Sequence, residues 1–167
     1  MNKTLILRFR DLITEDDGTI NDHLNMIYNY GEVWWGWWMK QHEIPPRNLF
    51  IDVFNELEKS GLINIYLFNS GLNKIYKAKT VKILVAPQGN TIRTPDFEKS
   101  PSYYHRGSYP AWFLMNGIEE IEFANTNFTI VSTPTKTFKG DFDLPKNIET
   151  LEELQNMNVT LWEIATP

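Results

Sequence analysis

Residues 33–40 read Val-Trp-Trp-Gly-Trp-Trp-Met-Lys, four tryptophans within five positions, and no other stretch limits the possible folds of the chain as strongly. Aromatic and β-branched residues fit a pleated surface, so the run predicts a strand over residues 32–39. Alternation sorts the side chains: Val33, Trp35, Trp37 and Met39 share one face, and Trp34, Gly36, Trp38 and Lys40 share the other. The first set reads as core. The second places a missing side chain between two indoles and ends in an ammonium. Glycine inside a strand marks a bulge or the close approach of a ligand or another backbone. Trp34 and Trp38 stand about 13 Å apart along a strand, so leaning rings would wall a slot above Gly36 that admits a planar group such as a nucleobase. The alternative is a large aromatic core in which Gly36 only marks a bend.

So much aromatic bulk needs a whole domain around it, and 167 residues with 42% hydrophobic and 22% charged positions predict a single domain over residues 1–167. Six Trp, seven Tyr and ten Phe exclude a disordered or collagen-like chain. The absence of Cys removes disulfides, thiolate metal sites and a Cys nucleophile, and predicts a reducing, cytoplasmic setting. No apolar run approaches the ~20 residues of a membrane span, and the start MNKTLILRFRD is followed by charge, not by a cleavage site. No membrane contact is expected.

The net charge of -5 is unevenly spread: residues 1–110 hold 13 Lys/Arg against 12 Asp/Glu, residues 111–167 hold 3 against 9. Broad attachment to duplex nucleic acid calls for a basic protein, so any nucleic-acid role must be a local pocket. Within residues 74–106, seven basic side chains face two acidic ones. They read either as phosphate contacts or as lysines guarding an edge strand.

Periodicity and turn residues predict a strand at 3–9, then a helix with Ile20, Leu24, Ile27 and Tyr28 on one side, capped by Thr19 and stopped by Gly31. After Pro45-Pro46 a second helix is expected, capped by Asn48 and ended by Gly61, with Leu49, Phe50, Val53, Phe54 and Leu57 at helical spacing. Residues 62–68 and 74–85 flank Asn69-Ser70-Gly71 as a hairpin. A long polar loop over 86–110 reads as a lid or binding loop. Short strands at 111–115, 118–123 and 127–132, a second polar linker, a short helix at 151–154 and a strand at 159–164 complete the chain. The class predicted is α+β: a small, curved, mixed β-barrel with two or three helices.

In the long loop, Ser102-Tyr103-Tyr104-His105-Arg106-Gly107 combines aromatic faces with a guanidinium that can grip a phosphate or stack on a base. The bland reading is a surface loop anchored by its aromatics. Arg8, Arg10 and Asp11 read as a structural ion pair or as groups that orient something polar. Catalytic signals are weak: His23, His42 and His105 match no zinc-helix spacing, and no phosphate loop, nucleophile elbow or complete calcium loop is present. No cofactor and no metal are expected.

The order of these features resembles the PUA-like superfamily, including its EVE, YTH and ASCH groups: a helix before the tryptophan strand, the LINIYLF hairpin, the long KIYKAKTVKILV strand, and a Tyr-rich loop running into AWFLMNGIEEIE. The resemblance implies a small β-barrel with a concave aromatic pocket reading a single, often modified, base. Carried onto this chain, it implies Trp34, Trp38 and Trp112 as cage walls, with Lys40, Tyr104 and Arg106 near the backbone phosphate; AWF reads equally as core. Two departures stand out, the acidity of the chain and a tryptophan density beyond what a cage requires. The first 45 residues also resemble a module of bacterial proteins that carry metallophosphoesterase or nucleotide-signalling domains, which implies a sensing part without the phosphoesterase's metal motifs. The function expected is therefore a non-enzymatic binding module for one nucleobase or nucleotide, a sensor in a bacterial defence or surveillance system with nucleic acid, a nucleotide or an effector protein as partner. Two other classes remain open: a protein-interaction domain with an exposed aromatic hot spot, and a small nucleotide-acting enzyme using His42 or His105 as acid or base.

Overall fold

The structure is a computed structural model that describes residues 2–136 and 143–167; residues 137–142, within the second polar linker, lie outside the described residues. Among the described residues one mixed sheet holds eight strands: β1 (Asn2–Phe9), β2 (Val33–Gly36), β3 (Ile63–Asn69), β4 (Lys74–Val85), β5 (Ala111–Ile121), β6 (Thr129–Ser132), β7 (Lys146–Asn147) and β8 (Leu161–Thr166). Three helices accompany it: α1 (Gly18–Tyr30), α2 (Arg47–Ser60) and the short α3 (Glu152–Gln155). The strand order is β2-β5-β4-β3-β1-β8-β6-β7, with β1 and β3 parallel and the other pairs antiparallel. The α+β class is the one expected. The sheet ends in edges at β2 and β7 and does not close, so the expected barrel is an open sheet. No helix among the described residues is long and apolar enough to cross a membrane.

The apolar run of β1 is buried on both sides, as befits a central strand. Leu5 and Leu7 join a core that includes Trp35, Trp37, Phe113 and the α2 residues Leu49, Phe50, Val53 and Leu57. Ile6 points into a second core with Phe68, Trp162 and Leu154. A third, smaller cluster of Trp34, Tyr104, Trp112 and Leu114 lies under the long loop.

Both long helices stop where expected: Gly31 and Gly61 adopt φ of 84° and 75° and return their N–H groups to Ile27 and Leu57, a conformation that costs any other residue more. The start of α1 differs from expectation. No side chain of its N-cap residue caps it; the Asp11 carboxylate accepts the N–H groups of Asp17 and Thr19 at 3.0 and 3.1 Å. Its buried stripe is also rotated, with His23 inside and Tyr28 89% exposed. β4 lies between β3 and β5, so its lysines do not guard an edge; Lys74 and Lys77 instead pair with Asp17 and Glu119. The two strands expected at 111–123 are one strand, because irregular pairing around Asn116 and Val81 absorbs the Asn-Gly that reads as a turn.

Candidate functional site

β2 runs only to Gly36, three residues short of the strand predicted through Met39. Trp37 N–H makes one further bond to the Ala111 carbonyl, and the chain then leaves the sheet. A buried carboxylate holds the departing segment. Glu43 accepts the Lys40 N–H and the Thr160 hydroxyl on Oε1, at 3.0 and 2.7 Å, and the Thr160 N–H and Thr135 hydroxyl on Oε2. Four donors meet the demand of a buried acid, and the Trp37 indole joins them by donating to Thr160 Oγ1. This fixes Trp38, Met39 and Lys40 across from the end of β1.

Between those two segments lies a cleft of about 530 Å³, within the usual size range of small-molecule sites. Phe9, Trp35, Trp38, Tyr103, Tyr104 and Tyr109 give it aromatic surface, Arg8, Arg10 and Lys40 give it positive charge, and no carboxylate among the described residues lines it. Leu12, Ile13 and Met39 add apolar surface; Thr14, Thr19 and Thr160 add hydroxyls. Its cations are held differently. Arg8 donates to the Met157 carbonyl at 2.9 Å and to Gln155 Oε1 at 3.2 Å, and Lys40 Nζ donates to Asn158 Oδ1 at 2.7 Å. Arg10 has no salt-bridge partner among the described residues. Burial, and then the neighbouring Arg10 charge, lower the pKa of Arg8.

The long loop supplies the opposite wall. Tyr104 is buried edge-on against Tyr103, Tyr109 and Trp112, with ring centroids 4.8, 5.5 and 5.2 Å away. Burial raises the pKa of Tyr104 well above the ordinary phenol value, and its hydroxyl engages the Gly36 backbone. Tyr103 is raised too, by burial and by the charges of Asp22 and Asp11.

Of the residues singled out from sequence, Gly36, Trp38, Lys40 and Tyr104 meet in this cleft. Trp38 is 59% exposed at its rim. Trp34 and Trp112 sit elsewhere: both are buried in the third cluster, and the Trp112 indole donates to the Ile92 carbonyl at 3.0 Å. The slot imagined above Gly36 is filled by protein, since a Cβ there would stand 3.0 Å from both Trp112 Cζ3 and Tyr109 Cδ2. Arg106 is exposed and does not line the cleft. Sequence reasoning did not place Arg8, Arg10, Trp35 and Tyr109 in the site. Among the described residues Arg8, Arg10 and Asp11 form no salt bridge; Arg8 and Asp11 bond to polar neighbours.

None of the histidines is itself part of the cleft lining. His23 is fully buried at 4.3 Å from the Trp35 ring, its Nδ1–H donating to the Thr19 carbonyl at 2.7 Å, while Nε2 has no partner. Burial lowers its pKa to about 4, so the ring is neutral near pH 7. His42 and His105 donate Nε2–H to backbone carbonyls of Asn158 and of Phe97 and Ser100. Among the described residues no group of three or more His, Asp or Glu is placed to hold a metal.

A larger hollow of about 1070 Å³ lies between the start of α2 and the end of β4, lined by Ile51, Phe54, Leu84 and Val85 among others. Arg47 is its one charged lining residue, and that guanidinium is bonded to Gln88. Of the two, the smaller cleft brings together more aromatic faces and more positive charge, and it is therefore the candidate site.

A family model matches nearly the whole of the chain: the Pua-like model covers residues 5–167. The chain belongs to the Pua-like family. In this Pua-like chain the match runs from β1 through β8 and takes in every element that lines the cleft. No curated protein and no solved structure matched the chain.

Proposed function

We propose that this Pua-like chain is a binding module that holds one nucleobase or nucleotide in the cleft between the end of β1, the segment after β2 and the Tyr103–Tyr109 loop. The observation that carries the reading is the convergence of six aromatic side chains and three cations on about 530 Å³, without a carboxylate in the lining among the described residues. Aromatic faces stack on any base, at about 1–3 kcal/mol per base, and cations answer the phosphate. Membership of the Pua-like family supports a nucleic-acid or nucleotide partner. The site proposed is Gly36, Trp38, Lys40 and Tyr104 from the sequence reading, joined by Arg8, Arg10, Trp35, Tyr103 and Tyr109.

Trp38 is the ring to test, because it is exposed and its loss opens no cavity in the core. Titrating intrinsic tryptophan fluorescence with nucleosides and nucleotides should give saturable quenching. Trp38→Ala should weaken binding at least fivefold, about 1 kcal/mol, with the thermal midpoint held within a few degrees. Full affinity in Trp38→Ala, or no saturable response from the folded wild-type protein, would remove the reading.

A further inference from the structure

The charges around the cleft are divided by side, and the division bears on what form of nucleotide fits. Arg8, Arg10 and Lys40 all lie where the end of β1 faces the segment after β2. Two of them are already oriented by neutral acceptors, Gln155 and Met157 for Arg8 and Asn158 for Lys40, and the Glu43 carboxylate whose charge acts on Arg8 is buried and already accepts four hydrogen bonds. Beyond Leu12 and Ile13 the sign reverses. Asp11 takes up the first N–H groups of α1, which removes that helix start as a second anion site, and Glu15 and Asp16 stand exposed in the same turn. Asp17, at its end, is the partner of Lys74.

A strand passing through the cleft would need positive charge leading in and out. None of the seven basic residues between 74 and 106 lines the cleft, and Lys74, Lys77 and Lys99 are paired with Asp17, Glu119 and Glu32. Arg93 is spent on the His105 carbonyl and the Phe97 ring. The cleft thus concentrates three positive charges at one end and offers no continuation of them at the other. A terminal phosphate monoester, with about two negative charges at neutral pH, suits such an end better than the single charge of an internal diester.

Resting on the base-pocket reading, we propose that Arg8, Arg10 and Lys40 form a subsite for a terminal phosphate, so that the ligand is a nucleoside bearing a phosphate monoester and not an internal nucleotide of a strand. Two sources share that chemistry, a free mononucleotide and the phosphorylated end of an oligonucleotide.

The test is a fluorescence titration of the full chain at two salt concentrations. Its arms are the four nucleosides, their 5′- and 3′-monophosphates, a 5′-phosphorylated trinucleotide, and a nine-residue strand with unphosphorylated ends. A monophosphate should bind at least tenfold tighter than its nucleoside, and Arg10→Gln and Lys40→Gln should each shrink that ratio at least threefold. Both side chains are exposed, so both variants should fold, as checked by circular dichroism. Tight binding by the free monophosphate alone identifies a free nucleotide; equal binding by the phosphorylated trinucleotide identifies a strand end; either supports the subsite. Equal affinity for nucleoside and monophosphate overturns the subsite and leaves the base pocket standing. A nine-residue strand that binds tightest, with log K falling by more than about 2 per log unit of salt, overturns it in favour of a strand reader. Silence from every arm overturns the subsite and the base pocket together.

Discussion

Gly36 shows how one missing side chain can matter for a reason other than the one a sequence suggests. The space above it is taken by the rings of Trp112 and Tyr109, both 3.0 Å from where a Cβ would stand, and Trp112 is fully buried and cannot step aside. Gly36→Ala should therefore push the long loop outward and cost about 1–3 kcal/mol, read as a lower denaturant midpoint with an unchanged slope. An unaltered midpoint would show that the loop yields freely. Alternation grouped Trp34, Gly36 and Trp38 on one face because strand geometry is local. It could not say that Trp34 would be roofed over, since Tyr104, which shares its buried cluster, lies seventy residues away. Nor could it find Arg8 and Arg10 in the site. The available signal was a pair of arginines two residues apart at the end of a strand buried on both faces, a place where a cation needs a reason to be.

Among the elements, those whose ends are marked by backbone chemistry were the most legible. Gly31 and Gly61 close their helices, and Asn69 builds the hairpin turn by accepting the N–H groups of Gly71 and Leu72 at 3.0 and 3.1 Å. The start of α1 was not legible, because its anchor lies outside the helix, at Asp11. That carboxylate also accepts from Asn69 Nδ2 at 3.0 Å, so one side chain ties the helix start to the hairpin turn. Burial opposes its ionised form, but the hydrogen bonds from Asn69, Thr19 and Asp17 together hold its pKa below the ordinary carboxylate value. Asp11→Ala should cost about 1 kcal/mol, near the usual worth of a helix cap, and should speed amide hydrogen exchange at Asp17 and Thr19 before that of β1. Exchange at those two amides that matches wild type would refute the anchoring role.

At the scale of the whole molecule, stability should depend on pH through a side chain that solvent does not reach. His23 packs on Trp35 and lies near Tyr103 and Tyr104, whose phenols burial keeps neutral, while Asp22 and Asp11 act on Tyr103 from farther off. Its pKa falls from 6.5 in the unfolded chain to about 4 in the fold, because burial penalises the charged ring more than the Thr19 carbonyl supports it. Between those values the unfolded chain binds a proton that the folded one refuses. The stabilisation is thus complete above pH 6.5 and is lost as pH falls towards 4, by roughly 3 kcal/mol in all at about 1.4 kcal/mol per pH unit. The depressed Asp11 carboxyl contributes its own loss only lower, from near pH 4 downwards, so the two are separable. His23→Gln should lower stability at pH 7 yet flatten the curve between pH 6.5 and 4.5, measured as the urea midpoint at half-unit steps. A wild-type slope retained by that variant would assign the acid sensitivity elsewhere. If the slope does flatten, the same protonation should also disturb the cleft, because the ring against which His23 lies, Trp35, forms part of its aromatic wall.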